Sequence, residues 1–254
     1  MSESTTCNVI CLKWGTRYPA AYTNELYRAV KKNTTRAIRF ICVTDDPTGL
    51  DEGIEAVDFP PNPGYEKWPN IFSKLAILQE GFANLQGPTL FLDVDVVIMG
   101  NIDCFFDYKP GKNCIIHNWI EWHKTLFRKR PNIGNSSIFR FEGGKSGYIY
   151  ETFLKEFDEA NDQSKYPTEQ AFLTYAMKEV YWWPEEWARS FKRTCRPVFP
   201  LNLFVPPKKP DTRILVFHGN PDPDQAVVGF DDGKMRHKVL PCPWISEYWN
   251  PDLG

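Results

Sequence analysis

The sequence predicts an α/β fold: a mostly parallel central sheet flanked by helices, followed by a less regular second half. Two observations carry this. Short apolar runs alternate with helical stripes along the first hundred residues, the signature of strands joined by crossover helices. One such run then leads straight into two aspartates, and parallel sheets bind ligands beyond the carboxyl ends of their strands.

In chain order, Val9-Ile-Cys-Leu12 reads as a buried strand. From Ala20 to Lys32, Ala21, Tyr22, Leu26, Ala29 and Val30 recur at helical spacing. Ile38 to Val43 is a second strand, ended by the turn Thr44-Asp-Asp-Pro47. Ile54 to Phe59 is a short third strand before the loop Pro60-Pro-Asn-Pro-Gly64. Ile71, Leu75, Leu78 and Phe82 form one stripe and predict a helix over 71–82. Thr89 to Leu92 is a strand running into Asp93-Val-Asp95.

In the second half, Cys114 to His117 and Ser137 to Phe141 read as strands, and Tyr148 to Phe157 and Thr168 to Met177 as helices. The aromatic block Tyr181-Trp-Trp-Pro-Glu-Glu-Trp187, the strand Ile214 to Phe217 and a Pro- and Trp-rich tail follow. No repeat or linker interrupts the pattern, so a single domain over 1–254 is expected, divided near residue 105.

The 254 residues are 42% hydrophobic and 24% charged, an ordinary globular balance. Thirty basic against 32 acidic residues give a net charge of −2, which argues against a nucleic-acid partner. No apolar run reaches the roughly 18–20 residues of a membrane span. The opening residues lack the basic head and apolar core of a signal peptide. Seven cysteines without a CxxC pair indicate neither a zinc site nor a disulfide framework. A reduced, cytoplasmic chain is expected.

Asp93 and Asp95 carry the sharpest chemical signal. At i and i+2 of an extended segment, two side chains point the same way, about 6.6 Å apart. Both carboxylates could then reach one Mn or Mg ion, with oxygens at about 2.1 Å; the alternative is a polar strand end followed by a turn. His218, directly after the apolar run 214–217, is either a third ligand of suitable chemistry at another strand end or a histidine satisfied by hydrogen bonds at the rim of the core. Lys74 precedes the acidic strand, and Lys192, Arg193 and Arg196 follow the aromatic block; such cations suit phosphates. No glycine-rich phosphate loop is present, so metal and side chains would have to hold a diphosphate.

Together these segments resemble the GT-A type glycosyltransferases related to glycosyltransferase family 8, which includes glycogenin and bacterial galactosyltransferases. Lys13-Trp-Gly-Thr-Arg-Tyr18 resembles the turn that holds uracil and ribose, implying donor contacts from Lys13, Trp14, Thr16 and Tyr18. Ser73-Lys-Leu75 resembles the helix whose basic residue, here Lys74, faces the donor. Asp93-Val-Asp95 resembles the DxD element, and Gly100 to Phe106 the segment after it. Asn135-Ser-Ser137 resembles the strand start beside the sugar, and Glu169-Gln170 the acid-Gln pair at the donor hexose. His218-Gly219 resembles the element whose His completes the metal site.

The resemblance implies a GT-A fold and metal-dependent transfer of a sugar, with retention, from a UDP-sugar to a glycan or other hydroxyl acceptor. Catalytic roles would fall to Glu169, Gln170 and Lys74. Two departures stand out. Asp222-Pro223 occupies the place of the family's Lys-Pro, whose Lys contacts the diphosphate, so Lys74, Lys192 or Arg193 must supply that charge. Glu169 is one methylene longer than the usual Asp.

Phe91 to Val97 also fits the nucleophile element of haloacid-dehalogenase-like phosphatases, with Asp93 as nucleophile, Asp95 as acid/base and Asp231-Asp232 as a second acidic element. That nucleophile normally sits on the first strand, whereas about ninety residues of α/β pattern precede Asp93. A non-catalytic nucleotide-sugar-binding relative is the other alternative. Acceptor contacts are expected from 119–133 and the aromatic block. The basic stretch 124–130 could touch anionic headgroups, but the net charge of −2 argues against a membrane partner.

Overall fold

The computed structural model describes residues 6–120 and 129–251. Strand β1 (Cys7–Lys13) leads through helix α1 (Ala20–Lys32) to β2 (Ile38–Thr44) and β3 (Ile54–Val57). A one-turn helix α2 (Ser73–Ala76) then precedes β4 (Gly87–Leu92). The chain continues through β5 (Val97–Ile98), α3 (Asp103–Asp107), β6 (Cys114–His117) and β7 (Gly134–Gly143). Helices α4 (Gly147–Lys155), α5 (Phe157–Asn161) and α6 (Glu169–Ala176) come next. Strands β8 (Tyr181–Trp182), β9 (Ala188–Ser190) and β10 (Ile214–Val216) and helix α7 (Pro223–Val228) complete the order.

Seven strands form the central sheet in the order β3-β2-β1-β4-β7-β6-β8. The β3, β2, β1 and β4 neighbours are parallel, β7 runs antiparallel to both β4 and β6, and β8 is parallel to β6. The pleat divides its side chains between two cores. Val9, Cys11, Leu90, Leu92 and Ile138 pack on the face covered by α1, whereas Ile10, Leu12, Phe91 and Phe139 pack under α2, α4 and α6. Against the first face lies a three-stranded sheet, β5-β10-β9.

Local chemistry accounts for most boundaries. Helix α1 starts directly after Pro19, and its end is closed by Asn33, whose backbone N–H reaches the Ala29 and Val30 carbonyls and whose side-chain amide donates to Ala29 at 2.9 Å. The helix expected over 71–82 is a correction: only Ser73–Ala76 is α-helical. Asn70 Oδ1 takes the Phe72 N–H, and the bonds from Leu78 to Leu75 and Gln79 to Ala76 are the tighter three-residue kind. Gly81, Ala83 and Asn84 then adopt positive φ to turn the chain into β4. The stripe is real for Leu75 and Leu78, which are buried, but Ile71 is exposed. The helix expected over 148–157 breaks at Glu156, between α4 and α5. Among the described residues, no helix is long and apolar enough to cross a membrane.

Candidate functional site

The strand order reverses between β1 and β4, because the chain runs outward from β1 to β3 and then returns to β1's other side. In open sheets, such a switch point leaves a crevice at the strands' carboxyl ends. Here the crevice is a cavity of about 260 Å³ bounded by Trp14, Arg17, Tyr18, Lys74, Asp93 and Asp95 among others.

Asp93 and Asp95 do not lie on an extended segment. They belong to the turn that carries the chain from β4 to β5, with Val96 N–H directed to the Asp93 carbonyl at 3.4 Å. Asp93 N–H is anchored on the Ser137 carbonyl of β7 at 2.9 Å. Lys74 Nζ pairs with Asp93 at 2.8 Å and also lies 3.4 Å from the Ser136 carbonyl.

An irregularity in β7 builds the next part of the site. The β6–β7 register jumps from Ile115↔Phe139 to Ile116↔Asn135. The residues between are left out of the ladder, which re-aims side chains locally. The Ser136 hydroxyl donates to Glu169 Oε1, and Gln170 Oε1 accepts from Asn135 Nδ2 and Ser136 N–H, both at 3.4 Å. Lys74, Asp93, Asn135, Ser136, Glu169 and Gln170 therefore form one connected polar cluster, although they come from β7, α2, α6 and the β4–β5 turn.

Asp95 sits deeper, with only 7% of its surface exposed. Burial, then the neighbouring Asp93, raise its pKa to about 7, and Asp222 adds to the repulsion. Tyr18 is its visible hydrogen-bond partner: the phenol oxygen lies 3.1 Å from Asp95 Oδ2 and 3.2 Å from Asp222 Oδ1. One hydroxyl proton cannot serve both carboxylates. Arg17 Nη2 approaches Asp222 at 3.2 Å, and its guanidinium lies over the Tyr18 ring. Asp222 also caps α7 in a capping box with Gln225. Sequence reasoning missed both the Arg17–Asp222 pair and the bridging phenol.

The small sheet brings His218 to the same end of the molecule. Ile214 pairs with Ile98 and Leu215 with Val97, and His218 follows two residues after β10 ends. In the parallel β9–β10 pairing, Val216 faces Ser190, and the Phe191 and Phe217 rings stack at 4.7 Å. The next step sets Lys192 beside His218. Its Nζ is 4.0 Å from where a Cβ on Gly219 would stand. Lys192 belongs to a π-helical turn, Phe191–Cys195, closed by Arg196 N–H on the Phe191 carbonyl at 3.0 Å. Such turns are frequent at functional sites.

His218 Nε2 is 2.6 Å from Ser190 Oγ, which accepts the Arg193 N–H at 3.0 Å, and the Trp119 ring stacks on the imidazole. With that N–H occupying the Ser190 oxygen, the hydroxyl proton is free to be donated to a neutral imidazole. Burial, then Arg193 and Lys192, push the His218 pKa down to about 4, so the ring is neutral at physiological pH. Lys192 has no side-chain partner among the described residues, and burial followed by Arg196 lowers its pKa.

Whether this chemistry suits a divalent cation depends on the donor set. Among the described residues, no three His, Cys, Asp or Glu side chains gather as a ready cage. Magnesium-like ions, however, typically use one or two carboxylates and complete their shell with substrate phosphates and water. A buried carboxylate repelled by two others fits that use. His218 joins such a set through Nε2 only by releasing Ser190.

Other expected residues lie elsewhere. Lys13 is buried, with Nζ on the Asp46 carbonyl at 3.1 Å, and Thr16 is exposed; neither bounds the cavity. Trp183 is fully buried against Phe105, so part of the aromatic block is core. Asp231 and Asp232 pair with Lys238 and His237, outside the cavity, which leaves the phosphatase reading without its second acidic element there. Trp122, His123 and residues 124–128 of the basic stretch lie outside the described residues.

No family model matches the chain, and no curated protein matches it. Among solved structures it is similar to the galactosyltransferase LgtC in complex with donor and acceptor sugar analogs, with a TM-score of 0.58 and 14% identity over 85% of this chain and 88% of that one. It is also similar to the apo form of the bifunctional glycosyltransferase WbbM, with a TM-score of 0.51 and 11% identity over 88% of this chain. The likeness spans 47% of WbbM. The chain therefore has the fold of these glycosyltransferases.

Proposed function

We propose that this chain is a metal-dependent glycosyltransferase that moves a hexose from a UDP-sugar to a hydroxyl acceptor, with retention at the anomeric carbon. The observation that carries the reading is the Asp93–Asp95 pair at the sheet's switch point, in a cavity walled by Trp14 and Tyr18. Donor and acceptor sugar analogs occupy the similar LgtC structure; the UDP-sugar donor is what the resemblance of Lys13–Tyr18 and Asp93–Asp95 to the glycosyltransferase family 8 elements implies.

Asp93 and Asp95 would hold Mn or Mg, with His218 as a third ligand after its hydroxyl partner is released. When bound, the cation supplies Lewis-acid neutralisation of the charge that develops on the departing diphosphate. Trp14 and Tyr18 face the nucleoside. Asn135, Ser136, Glu169 and Gln170 face the hexose, where their mutual hydrogen bonds fix their orientation before substrate arrives. Lys74 stays ion-paired to Asp93 and orients that carboxylate. Lys192, the half-buried cation beside His218, supplies a fixed positive charge to the leaving phosphates.

Incubation with UDP-hexoses and Mn tests the reaction: UDP and released or transferred sugar are the expected products, and their absence with every UDP-hexose counts against it. Lys192→Ala tests the assignment of that charge. UDP affinity should fall about tenfold or more, the size of one charge-assisted hydrogen bond, while uridine affinity stays unchanged. Equal losses for UDP and uridine would mean that Lys192 merely supports the fold.

A further inference from the structure

Apart from Lys192, one stretch of the second half has no role in this chemistry. Between Glu186 and Asp211 the chain carries Arg189, Lys192, Arg193, Arg196, Lys208 and Lys209 and not one acidic residue, in a protein whose net charge is −2. The middle of this stretch is apolar and faces outward. Phe204 is 77% exposed and Leu201 55%, with Val198, Phe199 and Val205 also exposed, and Met235 beside them is 63% exposed. Half of the exposed large hydrophobics among the described residues lie in this one segment.

These side chains stand on a fixed support. Asn202, 1% exposed, donates its amide to the carbonyls of Met235 at 2.8 Å and Lys238 at 2.9 Å. Leu201–Leu203 is a tight 3-10 turn on that anchor. Prolines at 197, 200, 206 and 207 stiffen both flanks. The apolar tips are therefore presented outward, with no freedom to fold back over one another. Cations adjoin them in the chain, and the nearby Asp231 and Asp232 are paired with Lys238 and His237. Arg236 lies over the Phe199 ring at 5.9 Å, and Lys208, Lys234 and Arg236 form no ion pair among the described residues. Lys209 is held by Glu247.

We infer that this surface, residues 198–205 with Met235, docks on an anionic lipid bilayer. Exposed Phe and Leu enter the headgroup–acyl boundary, while the surrounding Lys and Arg meet lipid phosphates. The two attractions act together, which is what stable peripheral binding requires. The assignment is independent of the sugar-transfer reading.

The test is co-sedimentation of the full chain with vesicles of phosphatidylcholine or of phosphatidylglycerol. Partition should be roughly tenfold or more in favour of phosphatidylglycerol and should collapse in about 1 M salt, where charges are screened beyond about 3 Å. The double variant Leu201→Asp, Phe204→Asp should lose that partition with an unchanged melting midpoint, since neither side chain is core. Failure of the natural chain to bind phosphatidylglycerol vesicles, or equal binding by the double variant, overturns the inference. So does a stable dimer in light scattering that the double variant converts to monomer, because the surface would then belong to a second copy.

Discussion

Asp95→Asn is expected to lower cation-dependent sugar transfer by roughly 10²–10³-fold and, at the same time, to raise the melting midpoint. Both effects follow from the same environment. Asp95 is almost fully buried, faces Asp93 and Asp222, and has one phenol as its visible hydrogen-bond donor. As a cation ligand it is in place; as a structural group it is a poorly compensated buried charge, whose removal stabilises. Asparagine keeps an oxygen for the Tyr18 hydroxyl and removes the repulsion. A gain of about 1 kcal/mol moves the midpoint by about 2–4 °C in a chain of this size. Turnover assays and calorimetric melting read the two effects separately. Retained turnover excludes Asp95 as a ligand, and a fall in midpoint excludes the repulsion argument.

Arg140→Leu should produce the largest loss of stability, about 3–5 kcal/mol. Arg140 lies in the middle of β7, fully buried. Its guanidinium donates to the carbonyls of Phe105 at 2.8 Å, Phe106 at 2.7 Å, Lys109 at 2.6 Å and Lys112 at 3.0 Å, and to Cys114 Sγ at 3.1 Å. Two of those carbonyls belong to the last turn of α3, where a cation also meets the negative end of the helix dipole. Leucine fills much of the space but leaves the Phe105 and Phe106 carbonyls without the guanidinium donor, while the Lys109 carbonyl keeps only the Lys112 N–H at 3.2 Å. Lysine, with three donors on one nitrogen, should recover only part of the loss. Urea denaturation reads the difference; a change below about 1 kcal/mol would contradict this role.

Some of this was legible in the sequence because it was local. The α1 limits, Ala20–Lys32, follow from the apolar stripe. The strand leading to Asp93 follows from its apolar run. Lys74, Asp93, Asn135, Ser136, Glu169 and Gln170 were singled out before the structure joined them. What escaped depends on pairing between distant segments. Ser190 meets His218 only because β9 lies beside β10. Tyr18 links Asp95 to Asp222 only because the first loop crosses above the β4 end. The helix expected over 71–82 failed for another reason: periodicity marks which residues are buried, and successive turns can bury Leu75 and Leu78 as well as a helix does. Arg140 did leave a signal, a lone cation inside the apolar strand Ser137–Phe141, which calls for buried acceptors.

The most direct test of the central claim is calorimetric titration of UDP into the full chain with Mn present and with the cation removed by EDTA, alongside GDP and CMP. Saturable binding of UDP that weakens sharply in EDTA, with weaker binding of GDP and CMP, is the predicted result. No heat from UDP under either condition would contradict a cation-dependent nucleotide-sugar site at Asp93 and Asp95.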